Sequence, residues 1–265
     1  MAQASRRSSF LPLMVSVVAF AWAALWLWER SPYGRYLDHG DWTQAGLAGS
    51  ICAAVPSGEI LVPAILYVGG WVLMLAAMML PTTLPLLEIF RRLTRRRPDR
   101  RLLMSLVVLG YLMAWLGFGV LAHIVDWAVH EGVARVAWLT FNGWVFGAAV
   151  FFLAGVFQFS RLKYACLDKC RLPFGRVIAH WRGGPPRRQA FMLGLDHGLF
   201  CVGCCWAIML LMFVIGTGSV GWMLLLGGVM AAEKNLPWGR RLSAPLGVTL
   251  IAIACLVTAT NLLPQ

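Results

Sequence analysis

Long apolar runs alternate with short stretches rich in Arg, Pro and Gly along this chain. The runs recur at about 20 residues, the length that carries a helix across the ~30 Å hydrocarbon core of a bilayer. The pattern predicts seven spans: Phe10–Trp28, Ile60–Phe90, Leu102–Val125, Trp138–Phe159, Ala190–Ile215, Val220–Ala232 and Ala244–Leu263. The second is long enough to tilt or kink, and Pro81 and Pro85 supply the kink. The sixth is the shortest. Arg6 and Arg7 precede the first run as they would in a signal peptide, but the run continues through "ALWLW" and reads as an uncleaved helix. No soluble domain separates from the rest. Residues 1–265 read as one all-α, polytopic transmembrane helix bundle.

Charge orients the bundle. With the N-terminus in the cytoplasm, the inner segments hold 20 of the 23 Lys and Arg residues, leaving Arg30, Arg35 and Arg135 outside. That asymmetry is the positive-inside signature, and it puts Gln265 on the outer side. The net charge of +12 is therefore a topology signal with some attraction to anionic lipid, and nucleic-acid binding is not expected. Only 13% of residues are charged, against roughly 25% in an average soluble domain.

Candidate chemistry concentrates in "HGLFCVGCCWAIMLLM", residues 197–212. Wound as a helix at about 100° per residue, His197, Cys201, Cys204, Cys205 and Met212 share one stripe about 100° wide. The cysteines fall near the middle of their span, where polar groups face the bundle interior and mark a pathway or site. Thiolate, imidazole and thioether form a soft donor set, which favours Cu(I), with Zn as the other option. Cys201 belongs to both possible pairs, with Cys204 and with Cys205, and ranks first. Cys166 and Cys170, four apart in "LKYACLDKCR", are expected to face the cytosol as thiolates that hand metal over; the reducing cytosol disfavours a disulfide there. In "MLAAMMLPTTLPLLE", Met78 is a second-rank thioether candidate.

Other polar residues read as structural. His123, Asp126 and His130 fit an amphipathic interfacial helix. Cys52 and Cys255 have no partner close in sequence, and Glu88 reads as a solvated end-residue. Glu233 and Lys234 are explained by a mutual pair or by a lysine snorkelling to the cytosolic surface. Gly194 and Gly198 form the small-xxx-small spacing that lets helices approach closely. No phosphate loop, nucleophile elbow or metalloprotease motif occurs, so an enzyme is not supported.

The block "GLFCVGCCWAIML" resembles the cysteine signature of a bacterial family catalogued as domain of unknown function 2182, described as predicted metal-binding integral membrane proteins. "AMMLPTTLPLL", "FQFSRLKYACLDKCRLP" and "AAEKNLPWG" agree with it, so the resemblance covers most of the chain. It implies that Cys201, Cys204 and Cys205 are the signature cysteines and that Cys166 and Cys170 are the second pair. In that family a Met-Asn pair commonly follows the fifth helix; here the link reads "GTGSVGWM". The function expected is a bacterial inner-membrane protein that binds a transition metal, copper first, and transports or delivers it. A metallochaperone or a metal-receiving membrane protein would be its partner. The alternative is a transmembrane thiol–disulfide oxidoreductase using Cys201 and Cys204 as a CxxC couple.

Overall fold

The computed structural model describes residues 10–31, 61–135, 138, 142–181, 183–215 and 219–262. Cys52 and most of the predicted outer segment 29–59 lie outside the described residues, as do the side chains of His123, Asp126 and His130. Among the described residues there is no strand. The helices are α1 (Phe10–Glu29), α2 (Leu61–Met78), α3 (Leu84–Leu93), α4 (Arg100–Ala134), α5 (Trp144–Phe157), α6 (Arg161–Arg171), α7 (Phe174–His180), α8 (Pro186–Ile215), α9 (Val220–Asn235) and α10 (Ser243–Leu262).

Four of these helices, α1, α4, α8 and α10, are long and apolar enough to cross a membrane. Six crossings result if each of two bent pairs counts as one span, α2 with α3 and α5 with α6. The predicted sixth span lies within α9, which has 16 residues and falls below the length of the others. Large apolar side chains stand exposed along the outer faces of α1 and α10, Phe20, Leu27, Val248 and Leu256 among them. That is the surface expected of helices facing acyl chains rather than water.

The first bend, of 50°, follows from the prolines. Pro81 has no N–H to offer and its ring collides with the carbonyl four residues earlier. A 3-10 turn, Leu80–Thr83, takes up the break. The Thr82 hydroxyl donates to the Met79 carbonyl at 2.7 Å and Thr83 to the Leu80 carbonyl at 2.8 Å. Tyr111 on α4 donates to the same Met79 carbonyl at 3.3 Å. The Met79 and Leu80 carbonyls at the break are thus satisfied inside the bundle, as an apolar medium favours.

The second bend, of 64°, falls at Ser160, whose side chain caps α6 by accepting from the Lys163 N–H at 3.1 Å. The bend turns α6 under the bundle, where Lys163, Cys166, Leu167 and Cys170 line its buried face. The tightest helix contact is α4 against α8. A Cβ on Gly194 would run into the Val107 carbonyl, one on Gly110 into the Phe191 carbonyl, and one on Gly198 would lie 3.0 Å from the Tyr111 carbonyl. The Gly194/Gly198 spacing therefore does bring two backbones together. It also fixes α8, with its cysteines, against α4.

Candidate metal-handling site

Thiols from two helices meet in one place. On α8, the sulfurs of Cys204 and Cys205 are 3.5 Å apart. On α6, the sulfur of Cys170 lies 3.9 Å from that of Cys204. Cys201, one turn earlier on α8, adjoins all three. Cys166 packs against Gly203, where any Cβ would stand 2.7 Å from its sulfur. All five cysteines are buried and free. Cys166 and Cys170 were expected at the cytosolic surface; they point inward instead. The bend at Ser160 rotates their face of α6 onto α8, and the basic flanks Lys169 and Arg171 occupy the other sides.

The sulfur of Cys201 has polar neighbours that the sequence reading missed. The Lys234 ammonium of α9 donates to it at 2.8 Å, and the Tyr111 hydroxyl of α4 lies 3.1 Å away. Thr82, in the turn beside Pro81, is 4.0 Å from the sulfur and accepts from Lys234 at 3.4 Å. Lys234 does not snorkel to the surface; the residue is only 5% exposed. Nor does it pair with Glu233, whose carboxylate instead receives Lys163 of α6 at 2.6 Å. Consecutive residues on a helix point about 100° apart, so the two charges of α9 serve different neighbours. An ammonium this deeply buried is tolerable only beside compensating acceptors, and the Cys201 sulfur and Thr82 hydroxyl stand in that position.

His197 is buried, with its ring 6.0 Å from that of Tyr111, and its Nδ1 has no hydrogen-bond partner among the described residues. Met78 and Met212 are buried in the same core cluster as the five cysteines, together with Met74, Met79, Met209, Met223 and Met230. Met78 packs against Gly227 of α9 at 3.3 Å from the position a Cβ would take. Glu88 pairs with Arg91 and Arg92, and Asp196 with Arg176. Cys255 is exposed on α10.

Among the described residues, no group of three or more His, Cys, Asp or Glu side chains stands arranged as a ready ion cage. The thiols instead offer close pairs. A metal–thiolate bond is ~2.3 Å, so two sulfurs less than ~4.6 Å apart can share one ion. The Cys170–Cys204 and Cys204–Cys205 pairs both meet that limit at 3.9 Å and 3.5 Å. Zinc typically takes four ligands, whereas soft thiolate and thioether donors suit Cu(I). The cluster is thus a thiol held by a lysine beside further thiols, buried in a core that also contains methionines.

The family described as PpoB2, copper chaperone, matches residues 68–257, a segment that contains every one of these side chains. Its description does not carry the family name suggested by the cysteine signature; what the two share is a metal-related role. No curated protein and no solved structure matches the chain.

Proposed function

From the premise that the chain belongs to the PpoB2 copper-chaperone family, we propose that it binds Cu(I) inside a membrane through the thiols of Cys170, Cys201, Cys204 and Cys205 and delivers it to a metal-receiving partner. The observation that carries this reading is the meeting of Cys170 on α6 with Cys204 on α8 at 3.9 Å. It joins the cysteine block of the long helix to the second pair by a distance one ion can bridge. His197 and the methionines Met78 and Met212 are proposed as supporting donors along the way. Cys166, against Gly203, is proposed to receive the ion next.

The cytoplasmic face of a bacterial inner membrane is the proposed location of α6, because the Lys and Arg residues cluster at that end of the helices. Reporter fusions after Gln265 read the parity of the crossings. An outer C-terminus supports seven spans, and a cytosolic one supports six with α9 held inside the bundle.

Anaerobic loading of the purified chain with Cu(I) tests the functional reading. The wild type is expected to retain copper through desalting against a weak competing chelator, and the Cys201/Cys204/Cys205 triple-serine variant to lose it. Equal retention by the two would refute an intramembrane thiol site.

A further inference from the structure

Four helices meet at a second buried polar cluster, about two turns along α6 from Cys170. Lys163 and Glu233 face each other there at 2.6 Å, with side-chain exposures of 0% and 1%. Lys163 also donates to the side-chain carbonyl of Gln158, just past the end of α5. Gln158 in turn donates to the Ala154 carbonyl at 2.9 Å, and Ser243 of α10 donates to the Glu233 carboxylate at 2.7 Å. At the other end of α6, Arg171 donates to the carbonyls of Glu233, Leu236 and Pro237 where α9 terminates, the latter two at 2.7 Å and 3.0 Å. The Glu233 carbonyl is one that the helix end leaves without an intrahelical partner, while the Leu236 carbonyl also accepts from the Gly239 N–H at 3.0 Å.

From this arrangement we infer that Lys163, Glu233 and Arg171 are the positioning residues that hold the Cys170 thiol against Cys204, so that α6 contributes a ligand only while it is latched to the end of α9. The inference rests on the copper reading and adds the groups that assemble its site. Lys163 and Arg171 lie eight residues apart, about 12 Å along a helix, and both cysteines of α6 fall between them. Apolar packing alone would leave the register of an 11-residue helix loosely set, since Leu167 is its one large aliphatic side chain on the buried face. A paired and fully hydrogen-bonded ion pair does set register, because any slip strands a charge in an apolar interior. Glu233 and Lys234 are neighbours on one turn of α9. The same turn therefore docks α6 through one residue and holds Cys201 through the next. Among the described residues no hydrogen bond joins Lys163 or Glu233 to a thiol; Lys163 acts through α6, and Glu233 through its hold on Lys163.

The test uses the full chain in detergent or lipid nanodiscs, with two readouts. One is the rate at which a charged maleimide modifies Cys170, compared with Cys204, by mass spectrometry. The other is Cu(I) affinity by competition with a chromogenic chelator. Lys163→Met leaves Glu233 buried without its counter-charge, and is expected to speed Cys170 modification at least ~10-fold while leaving Cys204 slow. Cu(I) affinity should fall ~10–100-fold, the usual cost of losing a group that orients a ligand. Adding Cys170→Ser to Lys163→Met should then cost nothing more. The double variant Lys163→Met/Glu233→Met leaves no lone charge, which guards against simple misfolding. It is expected to label more slowly than Lys163→Met and faster than wild type. Wild-type labelling and copper affinity in that double variant would overturn the inference. So would a Cys170→Ser effect undiminished in the Lys163→Met background. Failure of the copper reading looks different: wild type would hold no Cu(I), while the labelling rates would still respond to Lys163→Met.

Discussion

Cys204→Ser is expected to abolish tight Cu(I) binding, with Cys201→Ser and Cys170→Ser weakening it less and Cys205→Ser least. Helix spacing alone favours Cys201, which can pair with either neighbour. The folded arrangement shifts the weight to Cys204, whose sulfur lies within 4 Å of thiols on two different helices. Cys201 adjoins the same thiols, but its sulfur is already shared with Lys234 and Tyr111. Serine is nearly isosteric with cysteine yet a poor soft-metal ligand, so the loss reports donor chemistry rather than a cavity. It should exceed the ~10–100-fold that removal of a supporting group costs. Competition titration of each purified variant measures the ranking. A dispensable Cys205 with a Cys201–Cys204 disulfide on mild oxidation is the pattern expected of the oxidoreductase alternative.

Gly194→Ala is expected to destabilise the bundle, although alanine is the better helix former. In an open helix position the exchange favours the helix by up to about 1 kcal/mol. Gly117 on α4 offers that control, since nothing stands within 4 Å of where its Cβ would be. At Gly194 the new methyl would enter the space of the Val107 backbone carbonyl, which cannot swing aside as a side chain can. Overpacking of this kind costs ~1–3 kcal/mol or more, so the steric cost outweighs the propensity gain. Thermal denaturation in detergent should give opposite signs for Gly194→Ala and Gly117→Ala. Because α8 carries three of the clustered thiols, copper retention should fall along with stability in the first variant and not in the second. Equal and small effects at both positions would mean that α4 and α8 do not cross as closely as described.

Much of this architecture is local and therefore legible in the chain. Apolar runs specify helices, Pro81 specifies the break in the second, and spacings of three and four put His197 and the α8 cysteines on one face. The small-residue spacing at Gly194 and Gly198 also meant what it usually means. What escaped the sequence was every feature that depends on where a bend points. Cys166 and Cys170 sit among Lys and Arg, so composition assigned them to the cytosolic surface. The turn at Ser160 faces them inward instead. Glu233 and Lys234 are adjacent and of opposite sign, which invites a mutual pair, yet their side chains diverge around α9 to Lys163 and to Cys201. A clue was present in the sequence. Two unlike charges next to each other inside an otherwise apolar stretch each need a partner, and Lys163 lies beside the only cysteine pair outside α8. Tyr111 and Thr82 carried no such signal, because an isolated hydroxyl in an apolar run has many ordinary uses.

The central claim is that one Cu(I) ion is held by sulfur from both α6 and α8. X-ray absorption at the copper edge of the Cu(I)-loaded chain tests it most directly. The account predicts a first shell of two or three sulfurs at ~2.3 Å, the usual metal–thiolate distance, with one sulfur lost or replaced by a lighter atom in Cys170→Ser. A shell of nitrogen and oxygen alone, or a sulfur shell unchanged by Cys170→Ser, would contradict it.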